Sequence, residues 1–430
     1  MHVLTRLAAL TVATALTTAG LTAGPAAPAS ADSSSVPGSF TGYGFDACAA
    51  PDQATMDAWR VSSPFSAVGV YLGGANRLCE QPNLTPGWVR TQKSRGWRLT
   101  PLWVGLQAPC SPLANRMSPD LTLAKTQGNL DASSAVSAAQ GLGIRAGSTL
   151  WFDMEDYDIT DTTCRQAAQS FLSGWTEQLR AQGYRSGVYS NAAAAITALD
   201  NASIAAPGAY TMPDDIWFAW ENGKADVDTG AYVRSSEWDQ GERIHQYLLD
   251  EVQTYGGVSQ QIDLNWLQIG GGSRAPKAKR ACRGVELDQR RYPTLRRGAK
   301  GDAVAAVQCL LRKQRFAKLP THGRYDARTA RAVQKAQRKL DLKPTGKVTA
   351  KTWTALHARG SQPLLKVGDV GEPVRRLQRA LLAASGKKGR VDGVMSTRNR
   401  SAVLRLQRRT GLEPTGNVDP ATWDALVAGG

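Results

Sequence analysis

Short runs of β-branched and aromatic residues recur eight times between residues 42 and 265, and most of the segments between them have the apolar period of amphipathic helices. The predicted strands are residues 42–47, 67–72, 98–104, 149–154, 185–189, 215–219, 243–247 and 261–265. Only the segment 222–240 resembles a loop more than a helix. Alternation of strand and helix predicts an α/β fold, a (β/α)8 TIM-like barrel over residues 40–270, with any chemistry at the carboxyl ends of its strands.

The last third of the chain is a tandem repeat that returns after 70 residues without a gap. Each copy begins with a glycine turn and predicts two amphipathic helices, 303–314 and 327–339 in the first copy and 373–384 and 397–410 in the second. A Pro-Thr-Gly turn and a short helix containing Thr-Trp-x-Ala-Leu complete each unit. We therefore expect two small all-α three-helix domains, residues 282–358 and 361–428, joined to the barrel by a basic linker, 271–281.

Both copies resemble the peptidoglycan-binding three-helix module of bacterial cell-wall hydrolases, in the Leu-x-x-Gly-x-x-Gly-x-x-Val-x-x-x-Gln opening and in the spacing that follows. The first copy departs from the family pattern at His322, where the second has the usual Asp392. The resemblance implies peptidoglycan as a partner. Trp353 and Trp423 stand at helical spacing beside leucines, which favours a place in the core over sugar stacking.

Charge divides the chain in the same place. Residues 271–430 hold 36 Lys and Arg against 11 Asp and Glu, whereas residues 1–270 hold 16 against 25. A basic half of this kind indicates an anionic partner: nucleic acid, a membrane surface or a wall polymer. A basic start, a short apolar run and the Ala29-Ser30-Ala31 triplet predict a signal peptide, residues 1–31. Export favours the wall, so we expect a secreted, wall-associated monomer with no nucleic acid partner and no membrane anchor.

The six cysteines are even in number, as expected of disulfides in an oxidising compartment. Cys282 and Cys309 lie beyond the other four and should pair with each other. Within the barrel we predict the pairs Cys79–Cys110 and Cys48–Cys164. Only three histidines follow the predicted signal peptide, and no C-x-x-C motif occurs, so we expect no zinc site and no other metal or cofactor.

Four carboxylates lie within predicted strands or at their ends: Asp46, Asp153, Glu155 and Asp263. Asp153 and Glu155 are two residues apart, which on a strand places both on one face near the barrel axis. Crowded carboxylates raise one another's pKa, so that one stays protonated as an acid while its neighbour stays charged. Cleavage of a glycosidic bond needs such a pair.

The motifs around these residues resemble those of the barrel-shaped lysozymes of glycoside hydrolase family 25. Residues 42–269 are more similar still to a glycoside-hydrolase-like domain of unknown function, common in secreted actinobacterial proteins. The resemblance implies Glu155 as the general acid and Asp153 as the second carboxylate, which either attacks C1 or stabilises an intermediate formed by the substrate's N-acetyl group. Asp46 and Asp263 would position the pair, and aromatic residues near other strand ends would line a sugar-binding cleft: Tyr71, Trp103, Tyr189, Trp220 and Tyr247. Two hypotheses stay open, a muramidase-like wall hydrolase and a non-catalytic wall-binding protein with a lysozyme-like barrel.

Overall fold

The structure, a computed structural model, describes residues 35–282 and 284–430, and the predicted signal peptide lies outside them. Eight strands form a closed barrel in chain order, which confirms the predicted fold class. They are β1 (Phe40–Asp46), β2 (Ala67–Gly73), β3 (Arg98–Trp103), β4 (Thr149–Asp153), β5 (Arg185–Asn191), β6 (Asp215–Ala219), β7 (Arg243–Tyr255) and β8 (Val258–Ile269). The barrel helices are α1 (Gln53–Ser62), α2 (Pro86–Ser94), α3 (Leu121–Gly141), α4 (Thr162–Ala181) and α5 (Thr197–Ala205).

The regular alternation of strand and helix stops after β6. No helix or strand interrupts residues 220–242, as the sequence indicated, and β7 runs directly into β8 through a turn at Gly256 and Gly257. Both glycines have positive φ, 60° and 78°, as tight hairpin turns require. A turn this short leaves no room for a crossover, so β8 is antiparallel to β7 and to β1. The expectation of eight repeated strand and helix units is wrong for this last part.

The hairpin of β7 and β8 is much longer than the two predicted strands. Its outer half packs on α1, where the Trp59 indole N–H donates to the Val258 carbonyl over 3.0 Å. The Tyr255 ring meets the Trp59 ring edge-on, with centroids 5.2 Å apart. The hairpin therefore covers barrel surface that a further helix would otherwise cover.

Alternation along the strands sorts side chains into two apolar layers. On β4, Trp151 points inward and packs edge-on against Trp217 at 6.1 Å, whereas Phe152 points outward and packs against Trp175 on α4. The same alternation turns Asp153 inward, where it is buried at the end of the strand. The barrel interior is thus apolar along most of the strands and acidic at their carboxyl ends.

The C-terminal region forms the two three-helix domains. Module 1 contains α6 (Asp302–Lys313), α7 (Ala327–Lys339) and α8 (Ala350–Ala358), and module 2 contains α9 (Glu372–Ser385), α10 (Thr397–Thr410) and α11 (Pro420–Val427). Trp353 and Trp423 are fully buried, and each indole N–H donates to a proline carbonyl of its own module. Both tryptophans are therefore core residues, as predicted. None of the helices in the described ranges is long and apolar enough to cross a membrane.

The disulfides confirm one predicted pair and correct two. Cys282 is bonded to Cys309, as predicted, but Cys48 is bonded to Cys79 and Cys110 to Cys164. Each barrel bond joins loops at neighbouring strands, β1 with β2 and β3 with β4, and its Cα atoms lie 5.7 or 5.8 Å apart. The predicted bond between Cys48 and Cys164 would have had to span two intervening strands at about 4.8 Å for each step, which is too far.

Candidate active site

Three of the four predicted carboxylates converge at one end of the barrel because of strand direction. Asp46 ends β1 and Asp153 ends β4, and both strands run toward this end. β8 runs the opposite way, so its first half lies here, and Asp263 pairs in register with Asp46. The antiparallel strand therefore delivers Asp263 to the site from its amino-terminal half. Glu155 lies two residues past the end of β4.

One neutral side chain links two of the carboxylates. The amide nitrogen of Gln246 on β7 lies 3.3 Å from Asp46 Oδ1 and 3.1 Å from Asp263 Oδ2, so it donates to both. Its amide oxygen accepts a hydrogen bond of 2.7 Å from the Tyr189 hydroxyl. Gln246 is buried, and it fixes the distance between two like charges that would otherwise repel.

Two more donors complete the surroundings of Asp46. Asn265 Nδ2 donates to Asp46 Oδ1 at 2.5 Å, and the Tyr71 hydroxyl donates to Oδ2 at 3.1 Å. Asn265 is itself oriented by the Trp217 indole N–H, 2.8 Å from its amide oxygen. Burial and then the charge of Asp263 raise the pKa of Asp46 to about 7, although these hydrogen bonds act in the opposite direction. Near neutral pH this carboxyl is therefore divided between its two protonation states.

Asp153 has a different environment. It is 3 % exposed, and its Oδ1 atom has no hydrogen-bond partner among the described residues. Burial, then the charges of Glu155 and Asp46, raise its pKa well above the ordinary range. The protonated form of Asp153 is therefore favoured relative to an aspartate that is free in solution.

Glu155 is exposed at the mouth of the barrel. Its backbone N–H donates to the side-chain oxygen of Gln107 at 2.8 Å, and Gln107 Nε2 donates to the Asp153 carbonyl at 2.8 Å. One buried glutamine therefore holds both ends of the Asp153-Met154-Glu155 segment. Loss of hydration and then the charges of Asp156 and Asp263 raise the pKa of the Glu155 carboxyl. The expectation that Asp153 and Glu155 share one strand face is corrected, since the strand ends at Asp153.

Asp263 is half-buried and bound from two sides. Besides Gln246, the Asp250 backbone N–H donates to its Oδ1 at 2.8 Å. Burial raises its pKa first, the Asp250 N–H opposes that rise, and the charges of Asp250 and Glu221 add to it. The mouth therefore contains acidic groups beyond the four predicted ones.

The five predicted aromatic residues separate into three groups. Tyr71 and Tyr189 are part of the carboxylate network. Trp103, at the end of β3, lies across Gly73, and Trp220 packs against Tyr232 just after β6. Both are therefore near strand ends, and in the described ranges neither has a hydrogen bond to the four carboxylates. Tyr247 follows the inward Gln246 and points outward. Burial raises the pKa of Tyr247. Tyr43 and Tyr255 add to this rise, whereas the charge of Arg400 opposes it.

The sequence reasoning missed the three amides of the site: Gln107, Gln246 and Asn265. Asn265 had a usable signal, because it stands two residues after Asp263 on one strand and so shares its face. Gln107 stands at the end of the Pro-Leu-Trp-Val-Gly-Leu-Gln segment, after β3, where barrel sites are built. The four carboxyls and three amides form two hydrogen-bonded groups, one around Gln246 and one around Gln107. Together they provide buried and accessible carboxyls at one end of the barrel, which is the equipment of general acid and base chemistry.

Comparison with known protein families assigns the parts of the chain. Residues 57–267 match the model described as "Rv2525c-like, glycoside hydrolase-like domain". Residues 300–356 and 370–426 each match the model described as "Putative peptidoglycan binding domain". Among curated proteins, the "Uncharacterized protein in bpoA1 3'region" of Kitasatospora aureofaciens is 39% identical over 67 residues, which are 15% of this chain and 57% of that protein. The chain therefore spans little more than half the length of this relative.

Solved structures with similar architecture are distant in sequence. An uncharacterized B. stearothermophilus protein is 18% identical, with a TM-score of 0.38, over 52% of this chain and 95% of its own. The Clostridium perfringens spore cortex lytic enzyme SleM is 15% identical, with a TM-score of 0.35, over 53% and 67%. A family 25 glycosyl hydrolase from Bacillus anthracis is 15% identical, with a TM-score of 0.33, over 53% and 89%. These likenesses are too remote to indicate an activity.

Proposed function

Because the chain carries a glycoside hydrolase-like domain followed by two peptidoglycan-binding domains, we propose that it is a secreted cell-wall hydrolase that cleaves the glycan strands of peptidoglycan in the manner of a muramidase. Peptidoglycan is then both substrate and anchor. The three disulfides fit an oxidising, extracellular compartment.

The observation that carries this proposal is the contrast among the carboxyl groups. Asp46 and Asp153 are 2 % and 3 % exposed, whereas Glu155 reaches solvent beside them. Hydrolysis of a glycosidic bond requires one carboxyl that can donate a proton to the leaving oxygen and another that supports the positive charge at the sugar. Glu155 is accessible to a substrate and has a raised pKa, so it fits the role of the acid.

Asp153 fits an assisting role better than that of a nucleophile. The raised pKa disfavours the charged form of Asp153 that would attack C1, and the side chain is buried below the exposed mouth. A carboxyl oxygen of Asp153 can instead accept a hydrogen bond from the N–H of the substrate's N-acetyl group, whose carbonyl oxygen would attack C1. Glu155, having given up its proton, would then act as the base that activates water. Asp46 and Asp263, held by Gln246, set the electrostatic environment of the pair.

The test is mass analysis of purified peptidoglycan after incubation with the mature protein. We expect fragments with new reducing ends, formed at a rate at least about 100-fold lower with Glu155→Gln, because general acid catalysis contributes about 10²- to 10⁴-fold. Glu80→Gln, an exposed change outside the carboxylate network, is the matched control and should leave the rate unchanged. If the unmodified protein binds the wall but yields no new ends, the non-catalytic alternative is favoured. Equal rates for both variants would refute the assignment of Glu155.

A further inference from the structure

The second module is seated on the barrel by its first loop. Lys366 is completely buried, and its ammonium donates to the carbonyl of Phe65 and, over 3.0 Å, to that of Arg60. The ammonium also lies 5.2 Å from the centre of the Trp97 ring. These barrel residues precede β2 and β3, so the loop meets the barrel at the amino-terminal end of its strands, opposite the carboxylates.

Neighbouring positions of module 2 make the same contact. The backbone of Gly368 lies against Phe40 and Thr41, and its carbonyl accepts a hydrogen bond of 2.7 Å from Ser273 Oγ. Asn417 Nδ2 donates to the Val61 and Ser63 carbonyls at 3.0 and 2.9 Å. This face of the module is therefore a binding surface, and in the second copy the barrel occupies it.

The same face of module 1 is open and basic. Five cations lie on it, and all are exposed: Arg296, Arg297, Lys300, Arg324 and Lys347. Backbone bridges join Leu295 to Val348 and Lys300 to Arg324, so the five form one continuous surface, the basic strip. In the described part of the chain none of them makes an ion pair within 4.0 Å.

Comparison of the two copies shows which basic residues of the strip are absent from the face of module 2 that contacts the barrel. At the positions equivalent to Arg297, Lys300, Arg324 and Lys347, module 2 has Val367, Val370, Val394 and Asn417. Burying an unpaired cation is costly, so a face that docks on the barrel cannot keep them. Only Arg296 has a basic equivalent, Lys366, whose Nζ donates to two carbonyl oxygens while burial lowers its pKa well below the usual range. Four of the five strip positions are therefore neutral in module 2, although Arg400, where module 1 has Ala330, adds a cation that lies 5.9 Å from the Tyr43 ring of the barrel.

We infer that the basic strip of module 1 binds an anionic wall polymer whose repeating charge is a phosphodiester, while module 2 uses the equivalent face to hold the barrel. This inference rests on the wall location in the proposed function, but not on its catalytic part. The adjacent cations of the strip match a row of like anions. A polyphosphodiester presents one anion in each repeat, and arginine forms paired hydrogen bonds with phosphate oxygens. The carboxylates of wall peptides instead alternate with amides and amines.

The test compares two full-length variants with identical loss of charge. The strip variant carries Arg297→Gln, Lys300→Gln, Arg324→Gln and Lys347→Gln. The control variant carries Arg331→Gln, Lys335→Gln, Arg338→Gln and Lys339→Gln, at exposed positions of α7 and its end. Each loses two arginines and two lysines. Circular dichroism and mapping of the Cys282–Cys309 bond establish that both variants are folded.

The probes are poly(glycerol phosphate) and purified peptidoglycan from which phosphodiester polymers have been extracted. We expect the strip variant to bind the polymer at least 10-fold more weakly and the control less than 3-fold, with binding to the extracted wall unchanged in both. Binding to the polymer should also weaken as salt rises. Equal losses in both variants would show that net charge alone matters, and would overturn the inference. So would a strip variant that binds the polymer normally, or one that loses only the extracted wall.

Release of reducing ends from soluble glycan fragments is measured on the same proteins. We expect both variants to retain the rate of the parent protein, because module 1 contains none of the carboxylate network. A parent protein without hydrolytic activity would contradict the proposed catalysis, yet the binding comparison would still decide the assignment of the basic strip.

Discussion

The docking of module 2 can be tested by adding a methyl group, as a glycine to alanine substitution, at either of two equivalent glycines. Gly368 and Gly298 occupy the same position of the repeat and have almost the same backbone, with φ of 95° and 91°. A Cβ added at Gly368 would lie 2.2 Å from the Phe40 ring and 2.5 Å from the Thr41 carbonyl oxygen, whereas at Gly298 nothing lies within 4 Å. Gly368→Ala and Gly298→Ala therefore share the strain of positive φ and differ in the contact with the barrel.

The expected cost follows from these distances. Alanine at positive φ costs about 1–2 kcal/mol in either module. To reach an ordinary contact of about 3.4 Å at position 368, the loop and the barrel must separate by roughly 1 Å. Such a shift would break the 2.7 Å bond from Ser273 and strain those of Lys366 and Asn417, at about 1 kcal/mol for each bond lost. We expect Gly368→Ala to destabilise the docked arrangement by about 2–4 kcal/mol more than Gly298→Ala does.

Calorimetry and hydrogen exchange measure this difference. In the parent protein and in Gly298→Ala, module 2 and the barrel should unfold in one transition. In Gly368→Ala the module should unfold separately and at lower temperature, and amides near Phe40 and Phe65 should exchange faster. The reasoning is refuted if the two variants have the same transitions and the same exchange, because the contact would then contribute nothing beyond backbone strain.

Three further predictions concern the site and the disulfides. Asp46→Asn removes a carboxyl whose pKa is raised from 3.8 to about 7 in the folded protein, so the parent should lose stability relative to the variant as pH rises through that interval. The free energies of unfolding of both proteins at pH 4 and pH 8 measure this loss. A stability difference that is the same at both pH values would contradict the raised pKa. Gln107→Leu removes the two hydrogen bonds that hold the segment carrying Glu155, so it should lower the rate of glycan cleavage while changing the melting temperature little. A lower melting temperature with an unchanged rate would make Gln107 a packing residue. Replacing Cys282 and Cys309 by alanine opens a loop with a sequence separation of 27 and should destabilise module 1 by about 3 kcal/mol, measured by its melting transition; an unchanged transition would contradict the entropic account.

The sequence predicted the strands and the carboxylates because each leaves a local pattern. Asp46 and Asp153 end short apolar runs, and a strand that ends in a carboxylate is visible without a structure. The long hairpin was less visible, since residues 248–261 are largely polar and only partly buried on the face that meets α1. Gly256-Gly257 was nevertheless a hairpin signal between two predicted strands. It could have shown that β8 is antiparallel.

Other features depend on neighbours that sequence patterns do not specify. Gln246 is one polar residue among many in β7, and its importance arises only because Asp46 and Asp263 flank it in the closed barrel. The barrel disulfides likewise follow which loops are adjacent, a property of strand order and not of spacing along the chain. The difference between Lys300 and Val370 was visible in the repeat. Only the structure shows that module 2 contacts the barrel with this face, which suggests a reason for the difference.

The carboxylates and the docked module lie at opposite ends of the barrel, and this separation changes how a deletion of module 2 would be interpreted. The carboxylates lie at the carboxyl end, whereas Lys366 and Asn417 contact the beginnings of the strands and the loop before β2. Two tandem copies of a wall-binding module would ordinarily act as two cooperating wall sites. Because one face of module 2 is covered, removal of residues 361–430 would also expose Phe40, Phe65 and Trp97 of the barrel. A loss of wall retention in that truncated protein would therefore combine lost binding with lost stability, and changes confined to the basic strip separate the two.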